Sequence, residues 1–203
     1  MNRLSSPRLA LLASFLVAAT AFAVGCSDNS QLEARFAPSE TAASPGLVKL
    51  VERSHSGTHV VVDAILFGPE PGLDLMAFQF GIKISNTSVA SFVPQSTYTQ
   101  TALVAGAGQA VSVDVDGDTD PSLVQVRVEK DGGGAGNGVA GASAIVIELT
   151  FEVHGSGATT LTLSGIGGNP PKAVDSHIAP IAAVTFDEAS ASVMGVTVGG
   201  GGY

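Results

Sequence analysis

In residues 143–153, SAIVIELTFEV, apolar side chains fall at Ile145, Ile147, Leu149, Phe151 and Val153, with Glu148, Thr150 and Glu152 between them. That period of two belongs to an extended chain with one buried and one wetter face. Glycines stand beyond both ends and punctuate it. The pattern predicts a central strand over 144–153, with the five apolar residues facing a core and Glu148 turned to solvent. A single strand cannot bury that face alone, so the chain must supply a second layer.

The same pattern recurs. Segments 46–52, 59–67 and 89–93 read as strands, and 75–84 places Met76, Phe78, Phe80, Ile82 and Ile84 on one face. Segment 110–115 turns Val111, Val113 and Val115 inward, and 123–130 does so with Val124, Val126 and Val128. Leu161 and Leu163 alternate with threonines in 159–165, and 182–186 and 192–198 close the series with a parity change near Asp187 and Glu188 that implies a bend or bulge. No segment after residue 46 shows a period of 3.6. Short strands with Gly and Pro turns predict an all-β sandwich of about nine strands over 46–198, followed by a Gly-rich tail at 199–203.

The first 45 residues differ in kind. Residues 1–25 carry Arg3 and Arg8, then an uncharged run from Leu9 to Val24. As a helix that run would span about 24 Å, short of the roughly 30 Å of a bilayer core, so it reads as an export signal. Its end, FAVGC, resembles a bacterial lipoprotein signal peptide: Gly25 precedes Cys26, the residue to be lipidated, although Ala23 stands where Leu is usual. Cys26 is the single cysteine, which excludes an internal disulfide. Residues 26–45 are polar, rich in Ala, Ser and Pro, and read as a flexible tether. The expected location is the bacterial cell envelope, with the membrane reached only through the lipid, or the exterior if Cys26 is not used.

Once the leader is removed, the formal charge moves from −9 to about −11. Nucleic acid needs clustered Lys and Arg, so that class is excluded. The acidic run DVDGDTD places Asp114, Asp116, Asp118 and Asp120 at alternate positions, and the first three match the opening of an EF-hand calcium loop. Thr119 then replaces the required Gly and Gln125 the bidentate Glu, leaving calcium in another geometry against a solvated hairpin turn. His55 and His59 lie in a turn without a completing ligand, and His154 and His177 sit beside turns. No GxSxG elbow or phosphate-binding loop is present, and an enzyme is not expected. There is no Trp, the tyrosines are Tyr98 and Tyr203, and the phenylalanines mostly fall at core positions, so a glycan chain would be bound through polar groups and Tyr98.

Two longer stretches carry a family likeness. HVVVDAILFGPEPGLDLMAFQFGIKISNTSVASFV and VEKDGGGAGNGVAGASAIVIELTFEVHGSGATTLTLSG resemble cohesin modules. The second has a Gly-rich loop, then a strand ending in TF-x-V at Thr150, Phe151 and Val153, then a Thr/Leu strand. AVDSHIAPI, 173–181, resembles the polar turn before the family's last strands, whereas SNTS stands where many cohesins have Asp-Pro. The resemblance implies a nine-stranded jelly roll, shared with carbohydrate-binding modules. It implies a non-catalytic role without an obligatory cofactor: recognition of a dockerin-type protein partner, or alternatively of a polysaccharide in its catabolism.

Overall fold

The computed structural model describes residues 30–70, 72–106, 108–131 and 143–199. The leader, Cys26, most of the Gly-rich loop and the tail beyond Gly199 lie outside the described residues.

Twelve strands are present among the described residues. They are β1 (Gln31–Ala37), β2 (Leu47–Ser56), β3 (His59–Phe67), β4 (Ala77–Ile84), β5 (Ala90–Val93) and β6 (Ala110–Asp116), then β7 (Leu123–Asp131), β8 (Ser143–Val153), β9 (Gly157–Ser164), β10 (Lys172–Val174), β11 (Thr185–Phe186) and β12 (Ala191–Val198). One sheet runs β1-β12-β9-β4-β7-β6, with β10 also on β4, and the other runs β11-β2-β3-β8-β5. The inner faces meet in a single core where Val60, Val62, Leu149 and Phe151 of the five-stranded sheet face Phe78, Phe80, Val126 and Leu161 of the seven-stranded one, all buried. The class is the expected all-β jelly-roll sandwich. The strand count is twelve rather than nine: β1 falls in the expected tether and the three-residue β10 at the start of an expected turn, while β11 keeps only two residues of the expected segment 182–186.

The first correction concerns the expected tether. Residues 31–37 form β1, antiparallel to β12 from Gln31↔Val198 to Ala37↔Ser192. The chain then crosses to the other sheet under a buried polar clasp. Lys49 Nζ donates to the carbonyls of Ser39, at 2.8 Å, and Thr41, while the Asp187 carboxylate accepts from the hydroxyls of both residues. The polar composition that suggested a tether instead supplies partners for a buried Lys and a buried Asp.

The second correction is in the opening strand. β8 lies between β3 and β5, as expected for an interior strand. Its register on β3 steps from Ala64↔Ile147 to Ile65↔Ile145, so Val146 is an extra, unpaired residue. A bulge reverses the parity of everything beyond it. Ala144 and Val146 are therefore buried, and Ile145 faces outward, half-covered. There its carbonyl accepts from the N–H groups of Thr101, at 2.7 Å, and Ala102, at 2.9 Å.

Glu148 is on the outer face but not simply solvated. Arg53 Nε lies 2.9 Å from Glu148 Oε2 and 3.0 Å from Asp63 Oδ2. The Asp63 side chain is only 8 % exposed, so Arg53 is its charge partner in a dry setting. Arg53→Ala should cost about 1–3 kcal/mol, because it strands a buried carboxylate. Glu148→Ala, which leaves the Arg53–Asp63 pair intact, should cost under about 1 kcal/mol. Urea melts of both variants check the order; a larger loss for Glu148→Ala would show that Asp63 does not depend on Arg53.

Candidate functional site

With Phe78, Phe80 and Ile82 of β4 and Val124, Val126 and Val128 of β7 inward, the alternate residues must line the opposite face. Register then fixes their neighbours. Gln79 stands opposite Arg127, which in turn stands opposite Asp114 of β6, while Lys83 stands opposite Thr162 of β9. Arg127 also pairs with Glu129 along its own strand, Nη2 to Oε2 at 2.6 Å. The outer face of the seven-stranded sheet is thus a polar band of amides, hydroxyls and mixed charges. It carries a hollow of about 510 Å³ at one end, where Gln79, Arg127 and Lys172 meet Met76 and Ile178. At the other, Lys83, Thr162, Ser164 and Asn169 line a second of about 570 Å³. Met76, expected in the core, is half-buried on the first hollow; its N–H donates to the Val174 carbonyl at 2.8 Å.

The turn after β10 rims that first hollow. Asp175 Oδ1 accepts from the N–H groups of His177 and Ala179, both at 2.9 Å, and the Ile178 N–H donates to the Asp175 carbonyl at 3.0 Å. Ile178 has φ 65°, the one positive φ on a non-glycine residue among those described. A β-branched side chain there is a steric outlier at a turn position where glycine is the ordinary occupant. It is also 80 % exposed. Ile178→Gly should therefore raise stability by about 0.5–1 kcal/mol, the left-handed penalty outweighing the added freedom of glycine in the unfolded chain. A calorimetric melting temperature below that of the parent would contradict this.

The acidic run does not form a calcium cage. Asp114 and Asp116 lie on β6, where alternate residues are roughly 6.6 Å apart, and Asp118 and Asp120 follow in the turn. Asp116 accepts from the Thr119 hydroxyl at 2.7 Å and the N–H groups of Asp118 and Thr119, which lowers its pKa. Asp120 is lowered likewise by the Ser122 hydroxyl and N–H. The Asp116 and Asp120 carboxylates are satisfied by their own turn, and no three of Asp114, Asp116, Asp118 and Asp120 converge. Among the described residues the group that does converge is Asp74, Asp175 and His177, whose ligand atoms all lie within 4.8 Å of one another. It escaped the sequence because Asp74 is a hundred positions away, and only the pairing of β10 with β4 unites the three.

Other candidates resolve into local roles. Tyr98 is partly buried against the core and its hydroxyl accepts from the Gln95 N–H at 3.2 Å, so its ring is not an open stacking platform. His55 is bound by Glu52 and Arg35, and it stands beside the β2–β3 turn rather than paired with His59. His154 Nε2 lies 2.7 Å from Ser91 Oγ, but among the described residues no carboxylate is bonded to the ring to complete a triad.

No family model and no curated protein matches the chain. Among solved structures it is similar to a type II cohesin domain from the cellulosome of Acetivibrio cellulolyticus, with 12% identity and a TM-score of 0.49, over 74% of this chain and 95% of the other. The second type II cohesin module of that organism's adaptor ScaA scaffoldin gives 11% identity and a TM-score of 0.45, over 80% and 95% of the two chains. A type II cohesin–X-dockerin complex from the same organism gives 12% and 0.41, over 78% and 93%. These are likenesses of fold. Function has to be argued from the face itself.

Proposed function

We propose that the chain is a non-catalytic, cohesin-like binding module of an exported bacterial lipoprotein, and that the outer face of the seven-stranded sheet receives a dockerin-type protein. The observation that carries the reading is Ile178. An aliphatic side chain held in water on a strained backbone, at the rim of a polar face, costs stability, and a complementary apolar socket would offset that cost. A standard interface needs roughly 800 Å² on each partner, which a sheet face of this breadth supplies without a deep pocket. The carboxylates of Asp114 and Asp116 on the edge strand β6, and of Asp118 and Asp120 in the turn after it, favour a partner with a basic patch and association that slows as salt rises. The motifs at Thr150, Phe151 and Val153 and the Gly-rich loop before them support the cohesin likeness. Small residues before Cys26 support lipidation there, and mass spectrometry of the N-terminus tests it: an unmodified start at another residue would remove the anchor from the proposal.

The face is tested by capture from a lysate of the encoding organism. Ile178→Gly and Gln79→Arg should each reduce recovery of the captured protein more than tenfold, whereas Glu152→Arg, on the other sheet, should leave it unchanged. Retardation on a polysaccharide in affinity electrophoresis, with no protein captured, would transfer the case to carbohydrate binding.

A further inference from the structure

We propose that Asp74, Asp175 and His177 bind a divalent transition-metal ion of the zinc or cobalt kind at the rim of the first hollow. The site is built by the sheet. β10 pairs with β4 through Val174↔Ala77, which lays the turn after β10 over the residues that enter β4. Ser176 then clamps the two segments, its hydroxyl donating to Asp74 Oδ2 at 2.6 Å and its N–H to the same atom at 3.3 Å. Asp175 Oδ1 is held by the two turn N–H groups, so its other oxygen is the one for an ion. The Ser176 hydroxyl also lies 3.4 Å from His177 Nδ1, which keeps the imidazole beside the two carboxylates.

Ligand atoms within 4.8 Å of one another are near what an ion requires. Around tetrahedral zinc, with bonds of about 2.0–2.1 Å, neighbouring ligand atoms are roughly 3.4 Å apart, so rotamer adjustments of about 1 Å close the set. The donors also choose the ion. One imidazole and two carboxylates suit zinc, cobalt or nickel, whereas calcium takes six to eight oxygens. The imidazole distinguishes this group from a plain patch of acids. The buried Lys130 acts electrostatically on Asp74 and tempers the affinity by offsetting one carboxylate charge. Three protein ligands leave a coordination position open, and because His177 is exposed that position is within reach of water or of a group brought by another molecule.

The test is calorimetric titration of the purified, untagged protein, stripped with chelator, with zinc chloride, together with the visible absorption of the cobalt(II) form. Saturation at one ion per chain is expected, with a cobalt ligand-field band and a melting temperature that rises with free zinc. His177→Ala removes an exposed side chain, so the fold survives and affinity should fall at least tenfold; Asp175→Asn should do the same, and Asp116→Asn should change nothing. Absence of saturable heat would overturn the proposal, as would binding equally tight in His177→Ala. Because the readout is the metal alone, it stands or falls independently of whether the face has a protein partner.

Discussion

Phe151→Ala is expected to lower the unfolding free energy by about 3–5 kcal/mol, the largest loss of any truncation on β8. Phe151 is fully buried. It pairs in register with Val60 on one side and Phe92 on the other, and its ring meets Phe92 edge-on at 6.1 Å between centroids. Removing the ring forfeits its transfer energy and leaves a void between two hydrogen-bonded sheets, which cannot close without breaking ladder bonds. Glu152→Ala, one residue on and facing out, should stay within about 0.5 kcal/mol of the parent. Denaturant melts read both, and an unchanged slope shows that the midpoint shift is stability alone. Equal losses would mean that Phe151 is not between the sheets.

The strands legible in the sequence were those with strict alternation between a buried and a wet face. β4 and β7 read correctly from Phe78 to Ile84 and from Val124 to Val128, since each exposes one face and the partner sheet covers the other. The run AIVI at 144–147 could not be read this way. Four consecutive apolar residues fit either parity, and the bulge at Val146 is set by pairing with β3, a tertiary fact. β1 is masked by its surroundings: Leu32, Ala34 and Phe36 do alternate with Glu33 and Arg35 and meet the core, but the polar stretches on either side give the segment the composition of a linker.

The site was less legible. The acidic residues of 114–120 are close in sequence, yet strand geometry separates Asp114 from Asp116 and turn hydrogen bonds occupy Asp116 and Asp120. Asp74, Asp175 and His177 are distant in sequence and close in space. Nothing in the sequence AVDSHIAPI marks Ile178; only its backbone angle does, and no residue pattern reports φ. The alternation did contain one usable signal: once Phe78, Phe80 and the β7 valines are inward, Gln79, Arg127 and Lys83 must share the opposite face.

Gly46→Ala is expected to cost about 2–5 kcal/mol, while Gly57→Ala should cost only about 1 kcal/mol, although both glycines have positive φ. At Gly57, φ +55°, in the turn between β2 and β3, an added Cβ would meet nothing within 4 Å. Its substitution therefore carries the left-handed backbone penalty alone. At Gly46, φ +80°, the added Cβ would stand 2.0 Å from the Ala183 carbonyl oxygen, a backbone atom with no side-chain freedom to yield. That close approach belongs to the closure of the sandwich. The Gly46 N–H donates to Phe67 at 2.7 Å, its carbonyl accepts from Thr185 at 2.9 Å, and β11 then runs parallel to β2 through Thr185↔Leu47 and Phe186↔Val48. Pushing residue 183 aside would pull β11 from β2 and draw Phe186 off Phe80, whose rings lie 5.6 Å apart. It would also disturb Asp187, whose N–H donates to the Val48 carbonyl at 2.8 Å and whose carboxylate holds the clasp over Lys49. Paired urea melts separate the two contributions, because the backbone penalty is common and the collision is not. Equal losses would place the cost in φ alone and leave the β2–β11 edge free to adjust.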